Sequence, residues 1–138
     1  MDIRLRVLNL IAKYRTKNPF KLANSLGIVV KFVDLGEVRG LFKKILKKKY
    51  IFINSKLSEF DQTLVCAHEL GHAVLHSSSE YQFLIDNTKI LRRSKLEDEA
   101  NLFASYLLFP NGLDIEIECI ETETNIWMFG EMKRLREF

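Results

Sequence analysis

Five residues, His68-Glu69-Leu70-Gly71-His72, form an H-E-x-x-H pattern inside the apolar run from Thr63 to His76. On a helix, positions i and i+4 share a face. The His68 and His72 imidazoles can therefore take the same Zn2+. Glu69 lies one residue round, close to that ion without being a ligand. It is placed to take a proton from zinc-bound water and pass it to a leaving amine. That chemistry is the hydrolysis of a peptide bond. The competing reading is that both histidines are structural. Against it, the chain has only three histidines, and all fall between His68 and His76. Two unpaired imidazoles and a carboxylate would also be costly to bury in so apolar a run.

A third ligand must come from elsewhere. The extended pattern H-E-x-x-H-x-x-G-x-x-H is excluded, because Leu75 and Ser78 occupy its glycine and last histidine positions. No histidine follows His76, which points to a carboxylate and a His2Glu site with water in the fourth position. The run Ser94–Pro110 can supply it. Ser94 and Glu97 match a capping box, apolar residues follow at helical spacing, and Pro110 ends the run. Glu97 is the first choice as ligand and Glu99 the fallback. Taken singly, Glu97, Asp98 or Glu99 can also simply favour a helix N-terminus. Asn101, one turn after Glu97, can orient a ligand histidine from behind.

Cys66–His76, followed by Glu97–Ala104 and Leu107–Pro110, resembles the ImmA/IrrE family of metallopeptidases. The similarity extends upstream through Asn18-Pro19-Phe20, Leu26–Val30, Gly40 and Ile51–Asn54, and covers roughly residues 10 to 110. The resemblance implies a small zincin-like domain with one Zn2+ held by His68, His72 and Glu97, and with Glu69 as general base. Members of that family include anti-repressors of phages and mobile elements that cleave a helix-turn-helix repressor. The resemblance thus implies a regulatory protease with such a repressor as its protein partner. The alternative is a metal-containing anti-repressor or toxin–antitoxin component that acts by binding alone. Residues after Pro110 match nothing in the family pattern.

With 138 residues, 47% of them hydrophobic, the chain is long enough for one domain with a real core. That domain divides into helices and sheet (1–57), metal-binding helices (58–110) and a partly helical tail (111–138). No apolar run approaches the ~20 residues of a membrane span, and Met1–Arg6 lacks a signal-peptide pattern. Cys66 and Cys119 are too few for a disulfide framework, and Cys66 reads as a core residue. A cytoplasmic location fits these features. Charge is uneven: +10 over residues 1–60 and −7 over residues 61–138. The basic half is dominated by Lys43, Lys44, Lys47, Lys48 and Lys49, read as solvent-facing edge lysines of a hairpin. No aromatic interleaving accompanies them, which argues against direct nucleic-acid binding. The uneven charge is instead read as complementarity: the acidic half holds the basic half, or either steers a charged protein substrate.

The elements that must position the site follow from periodicity. Helices are expected at Ile3–Tyr14, from Asn18 to Gly27, at about Glu59–His76 and at about Lys95–Phe109. Strands are expected at Ile28–Val33, Leu41–Leu46 and Tyr50–Asn54. The class is α+β, a short twisted sheet of about three strands packed on helices. A substrate segment can add to a sheet edge beside the cleft, within Leu41–Leu46 or Tyr50–Asn54. Asp114–Cys119 alternates like a strand. Ile126, Met128, Phe129, Met132 and Leu135 form an apolar helix stripe. Tyr106 and Tyr81 are candidates to stabilise an oxyanion. His76 can assist substrate binding, act behind a ligand or cap the helix.

Overall fold

The computed structural model describes residues 1–78, 90–113 and 119–136. In chain order they form α1 (Ile3–Tyr14), α2 (Pro19–Ser25), β1 (Val29–Val33), β2 (Gly40–Ile45), β3 (Lys48–Asn54), α3 (Glu59–Leu75), α4 (Ile90–Leu108) and α5 (Glu123–Arg136). This is the expected α+β class. Side-chain oxygens start the first three helices by accepting orphan backbone N–H groups. Asp2 accepts from Leu5 N at 2.9 Å, Asn18 from Phe20 N at 2.9 Å, and Ser58 from Asp61 N at 3.2 Å. Pro19, with its φ preset and no N–H to lose, opens α2.

The sheet has the order β1-β3-β2. β1 runs parallel to β3, with Val29 opposite Tyr50. β2 runs antiparallel to β3, with Gly40 opposite Ile53. Ile51 and Ile53 of the central strand are fully buried. The apolar core they join includes Leu64 and Leu70 of α3, Phe103 and Leu107 of α4, and Met128 and Met132 of α5. Helix α3 is thus enclosed by the sheet and by other helices. Cys66 lies at 0% exposure in that core, and burial pushes its thiol well above the ordinary range. No described helix is long and apolar enough to cross a membrane.

Two expectations need correction. Helix α4 begins at Ile90 rather than near Lys95, so Ser94 lies inside it and opens no capping box. The preceding residues, Ile90-Leu91-Arg92-Arg93, contain no breaker, and leucine and arginine are good helix formers. The acids Glu97–Glu99 therefore lie two turns into the helix, beyond the first turn where its dipole would favour them. The lysines of the β2–β3 hairpin are also not all solvent-facing. Lys44 Nζ donates to the Ser77 carbonyl at 3.0 Å and Lys49 Nζ to that of Ala73 at 3.2 Å. With Arg6, which donates to Val74 O at 3.4 Å, they satisfy carbonyls at the C-terminal end of α3. Burial, with Lys44 and Arg6 nearby, holds the Lys49 ammonium below its ordinary value. Among the described residues, no ion pair joins the basic half to the acidic half. The expected strand at Asp114–Cys119 lies outside the described residues except for Cys119, and Tyr81 lies outside them altogether.

Helix α5 docks through a buried polar knot. Asp61, in the first turn of α3, accepts from Thr122 Oγ1 at 2.6 Å and from Asn125 Nδ2 at 3.1 Å. Asn125 also donates to Ile120 O at 2.9 Å and accepts from Thr122 N at 3.1 Å. Both Asp61 and Asn125 are 2% exposed, so each lost partner leaves an unsatisfied buried group. Asn125→Ala is expected to cost about 2–3 kcal/mol, read as a lower urea midpoint with unchanged slope. A loss below about 0.5 kcal/mol would mean that water replaces the amide and the knot does not hold α5.

Candidate metal centre

Helix α3 presents His68, Glu69 and His72, and α4 crosses behind it carrying Glu97 and Asn101. The crossing is close because of Gly71. A Cβ there would lie 3.0 Å from Ala100 Cα and 3.1 Å from both Ala100 O and Phe103 Cβ. With no side chain between the two backbones, Glu97 reaches both histidines. Its Oε2 is 2.9 Å from His68 Nε2, and its Oε1 is 2.9 Å from His72 Nε2. One donor atom from each of His68, His72 and Glu97 falls within 4.8 Å of the others. Ligands at ~2.0–2.2 Å around tetrahedral zinc stand roughly 3.3 Å apart. Two imidazole nitrogens and a carboxylate gathered within 4.8 Å make a donor set that fits that ion.

The carboxylates differ in environment. Glu97 keeps 53% of its side chain exposed. Burial acts to raise its pKa, but the hydrogen bonds from His68 and His72 outweigh that and hold it far below the usual carboxylate range. Glu69 is 8% exposed, and burial pushes its carboxyl up despite the nearby histidines. Its Oε2 is 3.9 Å from His68 Nε2. For His68, burial opposes charge, but the Glu97 hydrogen bond, the Glu69 and Glu97 charges and Asn101 together raise its pKa. Asn101 Oδ1 lies 2.7 Å from His68 Nδ1, behind the ring. Glu99 turns away from the cluster, and its Oε1 meets His76 Nε2 at 3.2 Å. The fallback ligand is thus set on the buried His76, which lies against His72 instead of facing the cleft.

A cleft of about 600 Å³ opens in front of the cluster. One wall is β2 and the loop before it, from Glu37 to Phe42, and another is α5 through Trp127 and Met128. β2 pairs only with β3 among the described residues, so its outer edge is the one beside the cleft, while β3 is central. Gly40 lets that edge approach α3: a Cβ on it would meet Val65 Cγ1 at 2.5 Å and Glu69 Cγ at 3.4 Å. The loop is pinned by Asn54, whose Nδ2 donates to Gly36 O and Val38 O, both at 2.9 Å. Arg39 crosses the cleft rim to α5, with Nε 3.2 Å from Thr124 Oγ1 and its guanidinium 5.0 Å from the Trp127 ring centre. Sequence reasoning missed Arg39 and Trp127, because pairing across 88 residues leaves no local signal. Tyr106 is not among the described residues lining the cleft, and Arg136 stacks on its ring at 4.5 Å.

An α+β frame that brings an H-E-x-x-H helix and a carboxylate from a second helix together at the floor of a cleft defines a domain of the metallopeptidase type. The chain belongs to the ImmA/IrrE family, since residues 23–117 match the model of the IrrE N-terminal-like domain, a peptidase family. It is 42% identical over 110 residues to the uncharacterized immunity region protein 2 of Bacillus phage phi105, covering 79% of this chain and 69% of that one. It is 34% identical over 111 residues to metallopeptidase ImmA of Bacillus subtilis (strain 168), covering 79% of this chain and 64% of that one.

Zinc requires neutral imidazoles, so protons compete with it. Because the His68 pKa is raised above 6.5, the metal-free ring stays protonated to higher pH than an ordinary histidine. Zinc binding is therefore expected to release a proton and to tighten as pH rises between about 6 and 8. Calorimetry in buffers of different ionisation enthalpy reads this directly. A buffer-independent heat together with a flat affinity would rule out the protonated His68.

Proposed function

We propose that this chain is a zinc-dependent endopeptidase, a regulatory protease that cuts a helix-turn-helix repressor of a phage or mobile element. The observation that carries the reading is the convergence of His68, His72 and Glu97 beside buried Glu69, at the floor of a cleft bordered by a strand edge that is unpaired among the described residues. Family membership supports the chemistry, and the immunity-region name of the phage relative supports the repressor context. His68 and His72 through Nε2, and Glu97 through a carboxylate oxygen, hold one Zn2+. Residues 1–138 act as one metallopeptidase domain in the cytoplasm, with Glu123–Arg136 as the helix that walls the cleft.

The repressor segment lies along β2 as an added strand, its backbone bonded to the outward groups of that edge. Gly40 brings this edge within reach of Glu69, which sets the scissile carbonyl against the acid. Bound zinc supplies Lewis acidity, lowering the pKa of a water toward ~7 and polarising the carbonyl. Glu69 takes a proton from the attacking water as its oxygen bonds to the carbonyl carbon. Glu69 then gives that proton to the amide nitrogen, the C–N bond breaks, and the amine leaves neutral. Burial around Glu69 raises its basicity and lets it hold the proton between the two steps.

Glu69→Gln keeps the shape of the side chain and removes the base. Cleavage of the helix-turn-helix repressor that the protein cuts is expected to fall by about 10²–10⁴-fold, with zinc content unchanged. If the variant relieves repression as fully as the wild type while the repressor stays uncut, the protein acts by binding and the protease reading fails.

A further inference from the structure

Each histidine of the cluster is backed by a different device. His68 Nδ1 faces the amide oxygen of Asn101. His72 Nδ1 instead lies 2.9 Å from Nδ1 of His76, whose Nε2 lies 3.2 Å from Glu99 Oε1. His76 is 0% exposed, and the Glu99 side chain is 17% exposed. Glu99, His76 and His72 thus form a continuous chain from the third turn of α4 to the cluster. The two rings at its end, His72 and His76, have centres 5.1 Å apart.

The proton positions along this chain follow from its zinc end. A histidine that gives zinc its Nε2 lone pair is neutral and carries its proton on Nδ1. In His72 that nitrogen lies 2.9 Å from His76 Nδ1, so His76 accepts there. The proton of His76 is then on Nε2, where it donates to Glu99 Oε1 at 3.2 Å.

We propose that His76 and Glu99 are positioning residues that fix the tautomer and ring orientation of His72 for zinc. This rests on the metal-centre reading above. Partners behind a ligand histidine usually change metal affinity by about 10–100-fold. Here a second histidine stands between ligand and carboxylate. The helix repeat makes this possible, because His72 and His76 are four residues apart, as are His68 and His72. The same i+4 step that pairs the two ligands also places the supporting ring.

The test uses full-length Glu99→Leu and Glu99→Gln. Glutamine retains an oxygen that can accept from His76, and leucine does not. Zinc affinity is measured by chelator competition, melting temperature in excess chelator, and the protonated nitrogens by ¹⁵N NMR of labelled histidines. Glu99→Leu is expected to weaken zinc by about 10–100-fold and to release the His76 proton from Nε2. Glu99→Gln is expected to restore most of the affinity and the wild-type proton position. Wild-type affinity in Glu99→Leu overturns the proposal. So does a loss of affinity that glutamine fails to rescue while the metal-free melting temperature falls equally in both variants. If the wild type binds no zinc, the metal-centre reading fails on its own. The His76 signal in the metal-free protein still decides the chain, and an Nε2 that carries no proton toward Glu99 would refute it.

Discussion

The approach of α4 to α3 at Gly71 is the constraint on which the rest depends. A zinc site needs its third donor within a few ångströms of two histidines that share a helix face. Here a helix packed close to α3 brings the carboxylate there, and a Cβ at position 71 would press on Ala100 and Phe103 at 3.0–3.1 Å. Ala100 offers the matching surface on α4, so the contact is backbone against backbone. Glu97 and Glu99, both just before Ala100 in the chain, are divided between two tasks. One reaches the His68–His72 pair and the other reaches His76.

A second small-residue contact, at Gly40, does for the strand what Gly71 does for the helix. Together they place the outer edge of β2, the buried acid Glu69 and the histidine pair within one cleft. The frame around them is held by polar groups that the core could not otherwise bury. Asn54 pins the loop at the cleft rim, the Asp61–Asn125 knot docks α5, and Lys44, Lys49 and Arg6 satisfy carbonyls just beyond His72. Among the described residues, Lys44 and Lys49 of the basic hairpin therefore serve the end of α3 rather than an acidic side chain.

Much of this was legible in the residues because it is local. The i, i+4 spacing of His68 and His72, the start of α2 at Asn18, and the apolar periods of α1 and α3 each depend on neighbours a few positions apart. The start of α4 was less so. Ser94 and Glu97 match a capping pattern, but the helix-forming residues before them extend the helix past that cap. Strand order was not legible either, since the alternation in β2 and β3 is the same whether a strand is central or at an edge. Arg39 and Trp127 meet across 88 residues of chain, and nothing near either one signals the contact. The apolar stripe of α5 read as core. Met128 and Met132 are buried there, yet the same helix turns Trp127 to the cleft.

The account stands on three side chains holding one ion, and metal stoichiometry tests that most directly. The protein is purified without a metal-affinity tag, supplied with zinc, dialysed, and analysed for its elements beside Glu97→Ala. About one zinc per wild-type chain, lost in the variant, is the predicted result for a site that depends on all three ligands. Absence of metal from the wild type, or full retention by the variant, would contradict the assignment of His68, His72 and Glu97 as the metal centre.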